Sequence, residues 1–361
     1  MSLNTTPKIS LLMSVYNGED YLSEAIESVV NQTFTDWELI VINDCSTDGT
    51  ADILDAFAAK DARIKVYPNE VNLRLPSSLN RGLEFAQGTY IARMDADDIC
   101  LPDRLQKQYD FMQAHPDVAL SSCWFMTLKN GAVASGGCGG RTDYESIKAL
   151  LLVTNPILHP GIIARAEAIK ALKYDPSFTC TEDMELWTRF VLARHKIEIL
   201  PEYLMLYRLH DKQITKTTLE KQHKEVLAIQ KRYCASLLEE MSAEREEFYI
   251  NGIYFQENTD VRLFCDFYRW LKAVNRKTGA VSTDALRCAM LEILAEYKRK
   301  GISKGDLLKG MLALGVPFLL KELPARRKRA EQDGRKCVES AASIGLVQTG
   351  GTAVFPAFSN R

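Results

Sequence analysis

Three carboxylates stand almost together in the first third of the chain, at Asp95, Asp97 and Asp98. They directly follow the apolar run 90–94, whose length and composition predict a buried strand. In an open parallel sheet, ligands bind outside the carboxyl ends of the strands. Carboxylate oxygens suit Mg²⁺ or Mn²⁺, and such an ion binds a diphosphate. The alternative is that Asp98 and Asp103 merely cap the following helix, and the acidic triplet alone does not decide between the two.

A further acid, Asp44, follows the apolar run 37–43, which predicts another strand. An acid at a strand end can accept a hydrogen bond from a nucleobase or a ribose. The residues just beyond it, 46–48 (Ser-Thr-Asp), are typical of a helix N-cap. We therefore predict a binding role for Asp44 and a structural role for 46–48.

Two more signals lie later in the chain. Glu182 and Asp183 open a predicted helix at 181–194, where the helix dipole favours acids for purely structural reasons. His210 follows a strand-like run at 198–207. A lone histidine at such a position is a candidate metal ligand, but it is more often a structural hydrogen-bond donor. On spacing alone, both signals favour the structural explanation.

The elements that must position these residues alternate along the first hundred residues. Apolar runs predict strands at 9–16, 37–43, 64–67 and 90–94, and helical spacing predicts helices after 22, after 49, at 77–86 and at 102–114. Pro102 is expected to be the first residue of the last of these helices. Strand–helix alternation with short connections predicts a parallel α/β sheet.

The remainder of the chain divides into further parts. Glycines at 131, 136, 137, 139 and 140 predict a flexible loop, and a strand is expected at 161–164. From about residue 219 onward, helical spacing and dense charge predict a helical region. We place boundaries to give an α/β unit at 1–215, a helical region at 216–336, and a poorly ordered tail at 337–361 that is rich in Gly, Ser, Ala and Thr.

Composition excludes several classes of protein. The 361 residues are 46% hydrophobic and 25% charged, with a formal net charge of -2, which is globular and gives no reason to expect a nucleic-acid partner. The nine cysteines are an odd number without a CxxC pair, which disfavours a disulfide framework or a zinc site and indicates a reducing compartment. We expect neither a signal peptide nor a membrane-spanning helix.

Six motifs stand in order along the chain: 14–18 (SVYNG), 31–33 (NQT), 43–49 (NDCSTDG), 95–98 (DADD), 182–183 (ED) and 207–210 (YRLH). With them, residues 8–215 resemble the family-2 inverting glycosyltransferases of the GT-A fold. The stretch from 78–83 (SLNRGL) through 90–93 (YIAR) resembles bacterial enzymes that build lipooligosaccharide, O-antigen or capsule. The resemblance implies a GT-A fold, α/β and Rossmann-like with a mostly parallel central sheet, followed by a helical C-terminal region.

For the nucleotide end of the donor, the resemblance implies five contact residues. Tyr16 and Asn17 belong to the first strand-end loop and would lie near the uracil. Asp44 would accept a hydrogen bond from the uracil ring, and Asn80 and Arg81 are expected to contact the donor as well.

For the reacting end, the resemblance implies a metal and a base. Asp95 would contact the ribose or the metal, and Asp97 and His210 would hold Mn²⁺ or Mg²⁺, the expected cofactor. Asp183 matches the catalytic base, with Glu182 beside it.

One departure from the family pattern is visible. Asn43 and Cys45 stand where the family commonly has the first Asp and the Gly of Asp-Asp-Gly-Ser. The change alters hydrogen bonding in the base pocket and removes a glycine that is permissive of unusual backbone angles.

The implied activity is the transfer, with inversion, of a hexosyl or N-acetylhexosaminyl group from a UDP-sugar donor to a saccharide acceptor, which we expect to be lipid-linked. This would place the protein in cell-surface polysaccharide or lipopolysaccharide biosynthesis in the cytoplasm. A nucleotidyltransferase is the alternative enzyme, but 14–18 lacks a glycine-rich phosphate loop. An inactive sugar-nucleotide-binding module is expected to have lost Asp97 or Asp183, and both are present.

The C-terminal region carries a charge signal of its own. Between residues 298 and 336 there are twelve Lys or Arg against four Asp or Glu, a net of +8. This composition fits an anionic membrane surface, here the inner face of the cytoplasmic membrane, with Leu314, Phe318 and Leu319 dipping into the headgroup boundary. The alternative is a solvated basic face on helices that pack against the α/β unit.

Overall fold

The computed structural model describes residues 6–130, 132–137, 141–210, 219–254 and 259–343. Within them, nine strands form one mixed sheet, helices cover both of its faces, and a helical region follows. None of the described helices combines the length and the apolar composition that crossing a membrane requires.

The first part of the sheet is parallel, as predicted. In chain order its elements are β1 (Ile9–Val15), α1 (Leu22–Val30), β2 (Trp37–Asn43), α2 (Thr50–Lys60), β3 (Ile64–Pro68), α3 (Leu75–Phe85) and β4 (Tyr90–Arg93). Strand β1 pairs in parallel with both β2 and β4, and β2 pairs in parallel with β3. The chain therefore leaves β1 toward one side and returns on the other with β4. This order opens a crevice at the carboxyl ends of β1 and β4.

The second part of the sheet is mixed. Its elements are β5 (Ile99–Cys100), α4 (Arg104–Ala114), β6 (Val118–Lys129), β7 (Ala132–Gly137), α5 (Tyr144–Leu150), a 3₁₀ turn (His159–Gly161), β8 (Ile163–Arg165), α6 (Ala166–Leu172), α7 (Glu182–Leu192) and β9 (Lys196–Leu209). Strand β8 runs antiparallel to β4 and β6, whereas β9 runs parallel to β6 and antiparallel to β5.

Two local expectations were wrong. The glycine-rich segment expected to be a loop contains β7, which pairs antiparallel with β6, because ladder hydrogen bonds need only the backbone and the segment follows a turn at Asn130. Residue 131 and residues 138–140 lie outside the described residues. Pro102 lies in a turn two residues before α4, where its carbonyl accepts a hydrogen bond from the Thr33 backbone N–H at 3.0 Å.

Apolar side chains alternate between the two faces of the central strands. Leu11 and Met13 face a core formed with α1, α2 and α4, whereas Leu12 faces the opposite core, which includes α3, α5 and α7. The second core continues into the C-terminal helices, because Tyr233 and Phe264 belong to the same cluster of buried residues as Leu12. The helical region is thus packed onto the α/β unit.

The helical region consists of α8 (Leu219–Leu237), α9 (Ala243–Phe248), a π-helical turn (Tyr249–Tyr254), α10 (Val261–Thr278), α11 (Thr283–Arg299), α12 (Lys304–Leu314) and α13 (Val316–Ser343). The boundary proposed near residue 215 lies outside the described residues. The boundary proposed at 337 falls inside α13, whose helical hydrogen bonding continues to Ser343, and residues 344–361 are not described.

The apolar side chains expected to face the membrane are a further correction. Leu314, Phe318 and Leu319 are buried, since α12 and α13 turn these side chains toward α11 and the rest of the core. Among the side chains that the structure describes in these two helices, the large apolar ones that are exposed are Leu308, Leu312 and Leu323.

Candidate active site

The acidic triplet forms a compact group just beyond the end of β4. One carboxylate oxygen each of Asp95, Asp97 and Asp98 lies within 4.8 Å of the others. Asp98 is buried and accepts a hydrogen bond through Oδ1 from the backbone N–H of Arg208 at 2.9 Å. Its Oδ2 is buried and has no hydrogen-bond partner among the described residues. A buried, unpaired carboxylate oxygen is costly unless a cation or a proton compensates it.

Electrostatics of the triplet point to the same need. Burial, and then the charges of Asp95 and Asp97, raise the pKa of Asp98 well above its ordinary value. Burial also raises the pKa of Asp95, although the neighbouring Arg93 guanidinium opposes this shift. Hard oxygen donors that repel one another, one of them unpaired, fit a divalent cation such as Mg²⁺ or Mn²⁺.

The end of β9 closes this group from the other side. Antiparallel pairing of Ile99 with Leu206 brings the last residues of β9 beside the triplet. His210 Nε2 lies 2.8 Å from Asp97 Oδ2, so the structure brings together two predicted metal ligands that are 113 residues apart. Arg208 donates through Nε to the Asp97 carbonyl at 2.7 Å and lies over the ring of Tyr21.

The acid pair lies at the first turn of α7. Asp183 accepts hydrogen bonds from Asn155 Nδ2 at 2.8 Å and from the Met184 backbone N–H at 2.7 Å. Burial raises the pKa of Asp183, and these two donors oppose the shift. Burial, and then the Asp183 charge, raise the pKa of Glu182 to about 8. Near neutral pH Glu182 therefore retains its proton.

Behind Glu182 lies a buried neutral pair that the sequence did not reveal. His159 Nε2 is 2.8 Å from the Tyr174 hydroxyl, and His159 Nδ1 is 3.8 Å from Glu182 Oε1. Burial, and then the charge of Arg93, lower the pKa of His159 well below its ordinary value. Neither residue belongs to a recognised motif. Like Asn155, they reach the site from loops whose paths only the fold fixes.

Arg93, the last residue of β4, interacts electrostatically with both acidic groups, the triplet and the pair Glu182–Asp183. Its side chain is buried and paired with Asp95, while Nε and Nη1 have no hydrogen-bond partner among the described residues. Burial raises the pKa values of Asp95, Glu182 and Asp183, and the positive charge of Arg93 opposes this rise in all three. The metal-ligand candidates and the base candidate thus share one buried cation. The sequence offered Arg93 only as part of a motif, without a role.

In the loop after β1, Tyr16 is 53% exposed. Asn17 has a left-handed backbone, with a φ of 52°, and its Oδ1 accepts from the Thr47 backbone N–H at 2.8 Å. Asp44 is buried, and its Oδ1 accepts hydrogen bonds from Asn69 Nδ2 at 2.6 Å and from the Leu73 backbone N–H at 2.8 Å. Asp44 therefore also fixes the loop after β3.

Asn80 and Arg81, for which donor contacts are predicted, make hydrogen bonds within the chain. The Asn80 amide pairs with the backbone of Tyr174 in both directions, each bond 2.8 Å long. Arg81 donates to the Pro68 carbonyl at 2.6 Å and contacts Asn69 Oδ1. Both side chains of α3 thus tie neighbouring loops in place, and neither is brought to the acidic triplet by a described hydrogen bond.

Comparisons with known protein families, sequences and structures give concordant results. The family model Glycosyl transferase family 2 matches residues 10–140. An uncharacterized glycosyltransferase of Methanocaldococcus jannaschii is 33% identical over 219 residues, which cover 60% of this chain and 76% of the relative. The O-antigen biosynthesis glycosyltransferase WbnJ of Escherichia coli is 32% identical over 225 residues, which cover 61% of this chain and 86% of WbnJ.

Among solved structures, S. aureus TarS in complex with UDP-GlcNAc superposes with a TM-score of 0.55 at 17% identity, covering 85% of this chain and 90% of that one. The mannosyltransferase PcManGT of Pyrobaculum calidifontis, in complex with GDP-Man and Mn²⁺, gives a TM-score of 0.51 at 16% identity, covering 95% of this chain and 88% of that one. At these identities the likeness concerns the fold, a GT-A arrangement with a helical C-terminal region.

Proposed function

The chain belongs to glycosyl transferase family 2, and from that membership we propose that it transfers a hexosyl or N-acetylhexosaminyl group from a UDP-sugar to a saccharide acceptor, with inversion. The observation that carries the proposal is the convergence of the acidic triplet, His210 and the pair Glu182–Asp183 around Arg93. The name of the WbnJ relative supports a role in surface-polysaccharide or lipopolysaccharide biosynthesis.

The donor is proposed to bind with its base near Tyr16 and Asp44. Support comes from the exposed ring of Tyr16, from the buried acid at the end of β2, and from the UDP-GlcNAc complex of TarS. Because PcManGT binds GDP-Man on a similar fold, the base itself is part of the test below.

The diphosphate is proposed to lie at the triplet. Asp95, Asp97, Asp98 and His210 are the residues that would hold Mn²⁺ or Mg²⁺, and the Mn²⁺ in PcManGT supports this choice. Bound there, the cation would supply positive charge toward the negative charge of the leaving diphosphate.

Asp183 is proposed as the general base. Its carboxylate would accept the proton of the acceptor hydroxyl as that oxygen forms a bond to the anomeric carbon. The bond from the anomeric carbon to the diphosphate oxygen breaks on the opposite side, and UDP leaves with its electron pair. The raised pKa of Glu182 keeps a second negative charge away from this position near neutral pH. The Asn155 amide holds the base in place.

The acceptor is proposed to be lipid-linked, which places the enzyme in the cytoplasm against the inner face of the cytoplasmic membrane. The supporting feature is a set of exposed apolar side chains, Leu308, Leu312 and Leu323, in the segment of net charge +8. Exposed apolar side chains within a basic segment fit an anionic lipid surface.

The experiment that tests the function is nucleotide release by the purified full-length chain. A panel of UDP- and GDP-sugars is offered with Mn²⁺, Mg²⁺ or EDTA, and with short saccharide acceptors on a lipid carrier. We expect UDP as the product from one UDP-sugar, dependent on the cation, and an inverted glycosidic linkage detectable by NMR.

The matched variant is Asp183→Asn, which keeps the shape of the side chain but cannot take up the proton. Its transfer rate should fall by about 10² to 10⁴ while UDP binding persists. Pyrophosphate as the product would indicate a nucleotidyltransferase, and nucleotide binding without turnover an inactive binding module. Wild-type turnover in Asp183→Asn would remove Asp183 as the base.

A further inference from the structure

One carboxylate of the C-terminal region reaches the segment that leads into α7. Glu225, on α8, is only 8% exposed and accepts three hydrogen bonds from that segment. The donors are the backbone N–H of Thr179 at 3.1 Å, the backbone N–H of Cys180 at 3.0 Å and the hydroxyl of Thr181 at 2.9 Å. One buried side chain thus holds three consecutive residues.

Those three residues directly precede the acid pair. Thr181 occupies the N-cap position of α7, and its carbonyl accepts the first helical hydrogen bond, from Glu185 N–H at 3.0 Å. Its side chain does not cap the helix and donates to Glu225 instead. The position of Thr181 therefore sets where the first turn of α7, with Glu182 and Asp183, begins.

A second set of contacts joins the first turn of the same helix to α8. Arg232 Nη2 lies 2.7 Å from Oε1 of Glu185, whose side chain is buried. Met184 packs with Val226 and Ile229 of α8 in a small apolar cluster. These contacts fix residues 184 and 185, whereas the three hydrogen bonds to Glu225 fix 179–181, so the acid pair lies between two segments that α8 holds.

We propose that Glu225 is a positioning residue for sugar transfer, because it holds 179–181 and so fixes the direction in which Asp183 presents its carboxylate to the acceptor. This inference rests on the proposed role of Asp183 as general base. It gives the C-terminal region a part in the reaction, although α8 lies outside the segment that the family model matches. A shift of about 1 Å in a reacting group can cost a factor of about 10² in rate.

The first test compares Glu225→Gln with Glu220→Gln, a control on the same helix whose side chain is exposed and paired with Lys224. In the wild type the three donors face a carboxylate. In Glu225→Gln one of the two oxygens is replaced by an N–H₂ group, which cannot accept their hydrogen bonds. We expect kcat to fall about tenfold or more, with KM for the donor unchanged within about a factor of 2. The control should keep the wild-type values, and UDP affinity by calorimetry should be the same in all three proteins.

A second pair of variants guards against a loss of folding in Glu225→Gln. Thr181→Val keeps the shape of the side chain and removes one of the three donors, whereas Thr181→Ser keeps the hydroxyl. We expect Thr181→Val to lower kcat about threefold to tenfold and Thr181→Ser to restore most of it. Melting temperatures recorded alongside identify any variant that is unfolded, and the Thr181 pair then carries the test.

A double-mutant cycle separates positioning from a general structural effect. If Glu225 acts through Asp183, Glu225→Gln should cost far less in the Asp183→Asn background than in the wild type. An equal loss in both backgrounds, an unchanged kcat in Glu225→Gln and Thr181→Val, or equal activity of Thr181→Val and Thr181→Ser would each overturn the proposal. A wild-type chain that transfers no sugar would instead overturn the proposed function, and this proposal with it.

Discussion

The pKa values of the acidic residues in the site depend on one buried cation, the guanidinium of Arg93. Arg93 pairs with Asp95, and its charge also opposes the rise that burial causes in the pKa values of Glu182 and Asp183. The triplet nevertheless keeps an unpaired buried oxygen at Asp98. One guanidinium does not neutralise all of these acids, so the site is prepared for additional positive charge.

Asp97→Ala tests that conclusion directly. The variant removes the carboxylate that contacts His210, and it should keep its fold because the Asp97 side chain is only partly buried. We expect the Mn²⁺-dependent part of UDP binding to disappear in calorimetry, while Asp52→Asn, an exposed acid on α2, behaves as wild type. Unchanged Mn²⁺-dependent affinity in Asp97→Ala would exclude Asp97 from the metal site.

Glu182 gives a prediction about stability against pH. Its pKa of about 8 in the folded chain compares with an ordinary value of 4.5, so the folded state keeps a proton that the unfolded state loses. The stability due to this proton is complete below pH 4.5 and is lost as the pH rises through about 8. Between pH 6 and pH 9 the shift corresponds to about 2 to 3 kcal/mol of lost unfolding free energy.

Glu182→Gln should therefore lose less stability than the wild type over this range. Urea unfolding at pH 6 and pH 9 in EDTA measures the difference, with the exposed Glu84→Gln as the control that keeps the wild-type slope. Parallel losses in Glu182→Gln and the wild type would show that Glu182 is not protonated in the folded chain.

The orientation of each helix determines which of its apolar side chains are exposed. On α12, Leu308 and Leu312 are one helical turn apart and are 56% and 55% exposed, whereas Gly310 and Leu314 face the core. On α13, Phe318 and Leu319 are buried and Leu323 is exposed. The exposed apolar side chains are therefore different from the ones expected, although they lie in the same basic segment.

Leu308→Ser combined with Leu312→Ser should weaken binding to vesicles of anionic lipid without unfolding the chain, because both side chains are exposed. The control is Val71→Ser, which replaces an apolar residue that is 61% exposed but lies after β3. Co-sedimentation in low and high salt measures binding, and salt should release the double variant more readily, since exposed charges are screened beyond about 8 Å at physiological ionic strength. Equal sedimentation of the double variant and wild type would favour the solvated-face interpretation.

The molecule as a whole is built on a core that both parts share. Tyr233 donates its hydroxyl to the Lys148 carbonyl at 3.0 Å, and Gln230 donates to the Leu151 carbonyl at 2.7 Å. Both acceptors lie in or just after α5, on the α/β side. Residues of α10 and α11 belong to the same apolar cluster as residues of the sheet.

A chain that ends at residue 210 should consequently lack a cooperative unfolding transition. Loss of the helical region would expose the apolar cluster around Leu151 and would remove Arg232, the partner of the buried Glu185. Calorimetric unfolding of the shortened and full-length chains makes the comparison. A sharp transition within a few degrees of the full-length value would show that the α/β unit folds independently.

The order of strands and helices through β4 could be predicted from the sequence alone. Strand and helix periodicity is a local property, and 9–16, 37–43 and 90–94 carry it clearly. The ordered motifs also identified the family, and with it the expectation that Asp97 and His210 act together. Spacing alone did not contain that contact, because it joins the ends of β4 and β9 through the pairing of β5 with β9.

Only the tertiary structure decided what each polar or apolar side chain meets. Asn80 became a tie to the Tyr174 backbone, and Leu314 entered the core. His159 reaches Glu182 from a 3₁₀ turn, and Glu225 reaches the residues directly before the acid pair from a distant helix. Such outcomes depend on contacts between segments far apart in the chain, and neither composition nor periodicity of a segment records which other segment will cover it.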